Sequence, residues 1–244
     1  MNLKGKIILP ALLLGALLLG AGCGEETSVS DRVDELGLGS VPDPTVTNVL
    51  IAGQTNLDGM AAVQTYLTPF GFPVLDTFDN NSGTPTLAQL QNYDVVILWS
   101  NSSFSNATLF GDNLADYVDS GGGVVLAAFA HHAGTSILGR IISDGYSPYN
   151  IDGSGPFSNQ NVGSVDQPGH PIMENVVTLN AYYRSAPTMA AGGISIANFD
   201  NGAPMVAVTA TGNVVGLEVI PPDPNRGGDF ETLVANTLAF AAWN

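Results

Sequence analysis

Apolar residues in this chain gather into short unbroken runs, separated by segments in which they recur every three or four positions. Asn48–Ala52 is one such run, punctuated by Gly53, and Met60, Val63, Tyr66 and Leu67 then share one helical face, which predicts a helix over 58–68. Phe72–Phe78 reads as a second strand, the Asn-, Ser-, Gly- and Thr-rich stretch 79–85 as a loop, and Thr86–Leu90 as a short helix. Tyr93–Trp99 is an apolar run that must be buried on both faces. Asn106 or Thr108 is placed to cap a helix running to Asp119, which the glycine turn Gly121–Gly123 stops. Val124–Ala130 is the fourth strand, and 133–142 carries the pattern of the helix after it.

Successive strand-then-helix units require a parallel sheet, because parallel neighbours cannot be joined by a tight turn and need a crossover. The expected fold is α/β in three layers, with a mostly parallel central sheet, helices on both faces and a flavodoxin-like strand order. Beyond Ser143 the pattern loosens into a Gly-, Pro-, Asn- and Ser-rich stretch through Gly169, a long loop of the kind that often carries function. Strands are expected again near 176–179, 194–199, 205–209 and 214–220. Phe230, Leu233, Val234, Leu238 and Phe240 then form the stripe of a closing helix that Asp229 is placed to cap.

The N-terminus changes the picture of where this domain works. Lys4 and Lys6 precede an apolar stretch from Ile7 to Leu19, too short for a comfortable membrane span and typical of an export signal. Its end, Leu19-Gly20-Ala21-Gly22-Cys23, resembles the lipobox of bacterial lipoproteins, with Gly20 standing where leucine is usual. That resemblance implies a signal peptide over 1–22, a lipidated Cys23 holding the protein to the membrane of the cell envelope, a polar tether over 23–45 and one α/β domain over 46–244. Cys23 is the only cysteine, so no disulfide can form within the chain and its stability rests on the core.

The formal charge of the 244-residue chain is −16. Its cations beyond the signal are Arg32, Arg140, Arg184 and Arg226, scattered along the sequence, so a nucleic-acid partner, which needs clustered Lys and Arg, is excluded. No phosphate-cradling or dinucleotide-binding glycine motif is present. The stretch from Asp223 to Glu231 imitates a calcium loop only weakly, since Gly227 and Val234 stand where ligands belong, and Ser195 lies in an ordinary strand rather than a nucleophile elbow.

The most informative stretch is Gly121–Gly134, GGGVVLAAFAHHAG, in which a buried strand ends abruptly in His131 and His132. Together with Gly169-His170-Pro171-Ile172-Met173 and the ending VVGLEVIPP then TLVANTLAFAA, it resembles ThuA-like proteins of the class I glutamine-amidotransferase-like superfamily. The resemblance implies an ordering of elements over 48–243 and a site at the strand end where relatives of the wider superfamily carry a cysteine nucleophile. Here that bend carries histidine, so cysteine-dependent amidotransferase chemistry is excluded by inventory. The acid that usually follows the His-Pro of ThuA-like proteins is missing from Asn180–Arg184.

His131, His132 and His170 are all the histidines of the chain, and the expectation is that they meet at one mouth as base, proton shuttle or metal ligand. Adjacent histidines rarely point the same way, so only one of His131 and His132 is expected to enter the site. His170 has a plain alternative, satisfying loop carbonyls at a rigid Gly-His-Pro turn. Glu218, alone in an apolar strand, needs a partner: as an acid/base or ligand group at the crevice, or in a buried pair with an arginine. Asp166 is a further acidic candidate, and Tyr182 and Tyr183 are candidate stacking walls. The resemblance points to a small polar ligand such as a carbohydrate; the alternative is a non-enzymatic binding or scaffold module that has lost the superfamily's nucleophile. Neither the need for a metal nor the identity of a cofactor is legible.

Overall fold

The computed structural model describes residues 43–54, 59–152 and 157–243; the expected signal peptide, Cys23 and most of the expected tether lie outside the described residues. Strand β1 (Asn48–Gly53) leads through helix α1 (Gly59–Leu67) to β2 (Val74–Asp79), and α2 (Leu87–Leu90) leads to β3 (Val95–Leu98). Helix α3 (Ala107–Asp119) precedes β4 (Gly123–Ala127). After the short α4 (Arg140–Ser143) come β5 (Val162–Val165), β6 (Leu179–Asn180), β7 (Ile194–Phe199), β8 (Pro204–Val208), β9 (Val214–Leu217), β10 (Gly227–Gly228) and the closing α5 (Phe230–Trp243).

Eight strands form one sheet in the order β2-β1-β3-β4-β9-β8-β7-β5. The first five are parallel and reproduce the flavodoxin-like order, with β9 in the fifth place, while β8, β7 and β5 add an antiparallel wing. Alternation within the buried strands sends side chains to two cores. Val49, Ile51, Val95, Ile97, Val125 and Ala127 pack with α1 and α5 on one face. Leu50, Ala52, Val96, Leu98, Val124 and Leu126 pack with Leu90, Phe110, Leu114 and Tyr117 on the other. This is why the strands read as unbroken apolar runs.

Local signals in the first half act as expected. Thr86 and Gln89 close a reciprocal capping box on α2, and the Asn106 side chain, rather than Thr108, accepts from Leu109 N at 3.0 Å to start α3. Gly111 lets α3 lie directly on the next connection: a Cβ there would overlap the Leu138 carbonyl oxygen. Alanine would gain about 1 kcal/mol of helix propensity, but a backbone carbonyl has little room to retreat and overpacking costs about 1–3 kcal/mol. Gly111→Ala is therefore expected to be net destabilising, which a urea unfolding midpoint checks.

Three expectations need correction. The helix over 133–142 shrinks to α4, because the chain leaves β4 through successive turns and Gly134 and Gly139 take φ of 103° and 74°, which a helix cannot use. The strand near 176–179 is only the two-residue β6, paired with β10 outside the main sheet. The expected loop contains β5, an edge strand antiparallel to β7, whose mixed polar pattern hid it. Asp229 precedes α5, but its carboxylate accepts from Val177 N and Thr178 N at 2.9 and 2.8 Å, tying β6 to the helix start. Those two contacts, led by Thr178, hold its carboxyl below the usual aspartate range.

Candidate functional site

At the carboxyl ends of β3 and β4 the chain opens into two adjoining cavities of about 220 and 190 Å³ that share Asn101 and Phe129. Tyr183, Ile220, Pro222 and Pro224 complete the first; His132, Thr135 and Phe157 complete the second. Crevices beyond strand carboxyl ends are where open α/β sheets bind ligands. A roomier groove of about 470 Å³, lined by Asp119, Asp144, Tyr146, Thr209 and Asn213 among others, lies at the amino end of β9 beside the end of α3 and holds no histidine. Chemistry, not volume, makes the crevice the candidate site.

The two histidines after β4 part company. His131 is fully buried: its Nδ1 lies 2.7 Å from Glu218 Oε1 and its Nε2 lies 3.0 Å from Ser147 Oγ. Tyr149 meets the imidazole edge to face, at 5.3 Å between ring centres. Burial, reinforced by the Glu218 carboxylate, pushes the Tyr149 hydroxyl well above its ordinary range. Glu218 is equally buried, and its partner is His131 rather than an arginine. Both imidazole nitrogens of His131 are thus engaged and neither faces a cavity. His132 instead lines the crevice, half-buried, with its ring against Phe129 at 5.8 Å and its Nδ1 3.4 Å from Thr135 Oγ1.

His170 does not join them. It caps the 3₁₀ turn Pro171–Met173, its Nδ1 accepting from Ile172 N at 3.2 Å, so it serves a backbone N–H where carbonyls were expected. Its ring leans on Phe240 beside Thr209–Gly212, at the amino end of the sheet and remote from the crevice. Burial depresses His170 below its usual value of 6.5. The unfolded chain therefore protonates first on acidification; this contribution to stability is complete above about pH 6.5 and is lost as the pH falls toward the folded value. His170→Asn keeps an acceptor for Ile172 N without the proton, so its urea midpoint should fall less than that of the wild type between pH 7 and pH 5.

Asp166 lies beside the sheet edge, following β5, where Ser195 Oγ (2.6 Å), Asn198 Nδ2 (2.8 Å) and Ser164 Oγ (3.1 Å) surround its carboxylate and, led by Ser195, lower its pKa. It is not brought to the crevice. Tyr183 walls the crevice and Tyr182 packs against it edge to face, with 4.9 Å between ring centres. Sequence reasoning missed what holds that wall: buried Asp223, whose Oδ2 accepts from Tyr182 N and Tyr183 N at 2.8 and 3.2 Å and whose Oδ1 accepts from Asn225 N at 2.8 Å. Asp223-Pro-Asn225 is an Asx-turn signature that could have revealed the last bond but not the first two. Asn101 and Phe157 were also missed, since both sit in loops with no periodic signal.

No family model matches the chain, and no curated protein does. Solved structures do. A protein from Bacteroides uniformis described as ThuA-like superposes with a TM-score of 0.57 at 16% identity, covering 78% of this chain and 89% of its own. A cytoplasmic protein of Salmonella typhimurium gives 0.62 at 14% identity, covering 79% and 98%. A Thermoplasma acidophilum protein described as belonging to a GMP synthase gives 0.54 at 8%, covering 81% and 96%. The fold these neighbours share with the chain is the flavodoxin-like α/β sandwich.

Within that fold, the bend after β4 carries imidazoles, and Cys23, the sole cysteine of the chain, lies outside the described residues. The groups that reach the crevice of the described residues are amide, hydroxyl, imidazole and aromatic: Asn101, Thr135, His132, Phe129, Phe157 and Tyr183. Such a set can hydrogen-bond and stack; the carboxylates of Glu218 and Asp223 are occupied behind it.

Proposed function

We propose that this chain is a lipid-anchored, extracytoplasmic lipoprotein of the bacterial envelope, whose ThuA-like domain binds a small polar ligand of the carbohydrate class in the strand-end crevice. The observation that carries the reading is the wall of that crevice. Phe129, Phe157 and Tyr183 touch in sequence at 5.8 and 5.6 Å between ring centres, and Phe157 stays 50% exposed. Aromatic faces beside a few amide, hydroxyl and imidazole groups suit a sugar, which presents apolar C–H faces and a rim of hydroxyls. Recognition is favoured over catalysis because His131 is withdrawn into its pair with Glu218, leaving His132 as the imidazole at hand.

Thermal-shift and calorimetric screening against neutral monosaccharides and their acids tests this. Phe157→Ala should weaken a hit by about tenfold, the loss of one stacking platform worth roughly 1–1.5 kcal/mol, without moving the unfolding midpoint of the free protein. A hit unmoved by Phe157→Ala refutes the crevice as its site. The anchor is supported by Lys4, Lys6, the run to Leu19 and Cys23, although two structural neighbours are described as cytoplasmic. Metabolic labelling with tritiated palmitate should mark the wild type and spare Cys23→Ser.

A further inference from the structure

Gln54, the residue after β1, is a buried amide whose hydrogen bonds all serve one neighbouring loop. Its Oε1 accepts from Asn101 N at 2.5 Å and from Ser102 N at 2.8 Å, while its Nε2 donates to the Ser102 carbonyl at 2.8 Å. In that loop, which joins β3 to α3, the backbone of Asn101–Phe104 has no backbone partner among the described residues, so the side chain at the end of β1 supplies what a strand ladder would. Two further bonds fix the loop: Ser102 Oγ donates to Asn81 Oδ1 and Ser100 Oγ to the Phe129 carbonyl, each at 2.9 Å. An amide suits this place because Asn101 and Ser102 present two donors and one acceptor. A carboxylate would match only the donors, and an apolar side chain neither.

The loop so held carries Asn101, which with Phe129 lines both strand-end cavities. Asn101 is exposed, and its side-chain amide makes no hydrogen bond among the described residues, so an acceptor and two N–H donors stand open at the mouth. The amides at the end of β2 are engaged instead, Asn80 Nδ2 with the Ala52 carbonyl and Asn81 Oδ1 with Ser102. Resting on the crevice reading above, we propose that Asn101 is the amide that reads the hydroxyl rim of the ligand and that Gln54 is its positioning residue, holding the Asn101 backbone in place beside the aromatic wall. Asp223 treats Tyr183 in the same way: a buried acceptor beyond a strand end clasps successive backbone N–H groups of a segment that carries a crevice residue. A backbone fixed before the ligand arrives has less freedom to lose on binding, so the contribution of Gln54 falls in affinity and runs through Asn101.

The test is calorimetric titration with D-glucose, D-galactose and D-mannose on wild type, Asn101→Ala, Gln54→Leu, Gln54→Glu, the Asn101→Ala and Gln54→Leu double variant, and Phe157→Ala, with amide hydrogen exchange on the free proteins. Asn101→Ala should weaken the tightest of the three sugars about five- to tenfold, as loss of a hydrogen bond between neutral groups does. Gln54→Leu should weaken it about as much, and the double variant little more than either single change, because the two residues act as one unit. Gln54→Glu keeps the acceptor of both N–H groups and should lie between wild type and Gln54→Leu; it carries the test if the leucine variant fails to fold. The amide protons of Asn101 and Ser102 should exchange at least about tenfold faster in Gln54→Leu, and faster than wild type in Gln54→Glu. Affinity unmoved by the Gln54 variants, additive losses in the double variant, or unaltered exchange at Asn101 and Ser102 overturns the proposal; a Gln54 that is only structural would lower the unfolding midpoint and leave affinity alone. A sugar lost in Phe157→Ala but indifferent to Asn101→Ala sinks the role of Asn101 and leaves the crevice reading standing, whereas no binding by any of the three sinks both.

Discussion

Glu218→Ala should cost about 3–5 kcal/mol of stability, the largest single loss expected in this domain, because it strands the Nδ1 of a buried imidazole and leaves the ring only Ser147. Both members of the pair are fully buried and 2.7 Å apart, between β9 and the bend after β4. For a domain of this size the loss corresponds to a fall in Tm of roughly 6–20 °C, a large share of a total of about 5–15 kcal/mol. Glu218→Gln should cost much less, since an amide oxygen still accepts from Nδ1. His131→Ala should cost about as much as Glu218→Ala, while the double variant should fall well short of the sum, the signature of direct coupling. Additive losses would show that the two side chains do not stabilise each other. The same cycle, run with sugar titrations, tests the withdrawal of His131 from the ligand: His131→Ala should lower Tm far more than it lowers the affinity of the refolded protein.

Asp223→Ala should be next in size, at roughly 2–4 kcal/mol, with a loss of ligand affinity that His131→Ala does not share. The carboxylate is fully buried and satisfies three backbone N–H groups at once, two of them in the Tyr182–Tyr183 segment. Removing it leaves part-buried N–H groups of the Tyr182–Tyr183 segment without their acceptor, the expensive half of a hydrogen bond. It also frees the backbone that positions Tyr183, so the crevice wall should loosen along with the fold. Asp223→Asn keeps one carbonyl oxygen but turns N–H groups toward N–H groups, so it should lie between. Unfolding curves with sugar affinities on the same samples check both halves, and unaltered affinity in Asp223→Ala would mean that Tyr183 is held by other contacts.

Legibility in the sequence tracked how local the deciding interactions are. β1, β3, β4 and α5 were legible because strands buried on both faces and a helix with an apolar stripe announce themselves in their own residues. The helix expected over 133–142 failed where two glycines at positive φ and anchoring by the Ala107 and Ala130 carbonyls outweighed a helical pattern. β5 failed because an edge strand with its small and polar residues lacks the apolar run that marks a central one. Of the candidate residues, Glu218 was flagged by the cost of an acid in an apolar strand, but the sequence left its partner open. His131 and His132 were flagged by position, and only the fold separated the buried ring from the one at the mouth. His170 was flagged by residue type and by its Gly-His-Pro motif, and its ring serves as a helix cap at the far end of the sheet.

Periodicity and residue inventory are properties of the chain, and they alone carry the layered α/β architecture, the parallel core strands and the absence of a thiol after β4. Only the folded chain reveals that Glu218 meets His131 and that Asp223 clasps the tyrosine wall. Those depend on pairs 87 and about 40 positions apart. No local pattern encodes such distances; they exist only once strands far apart in sequence lie side by side.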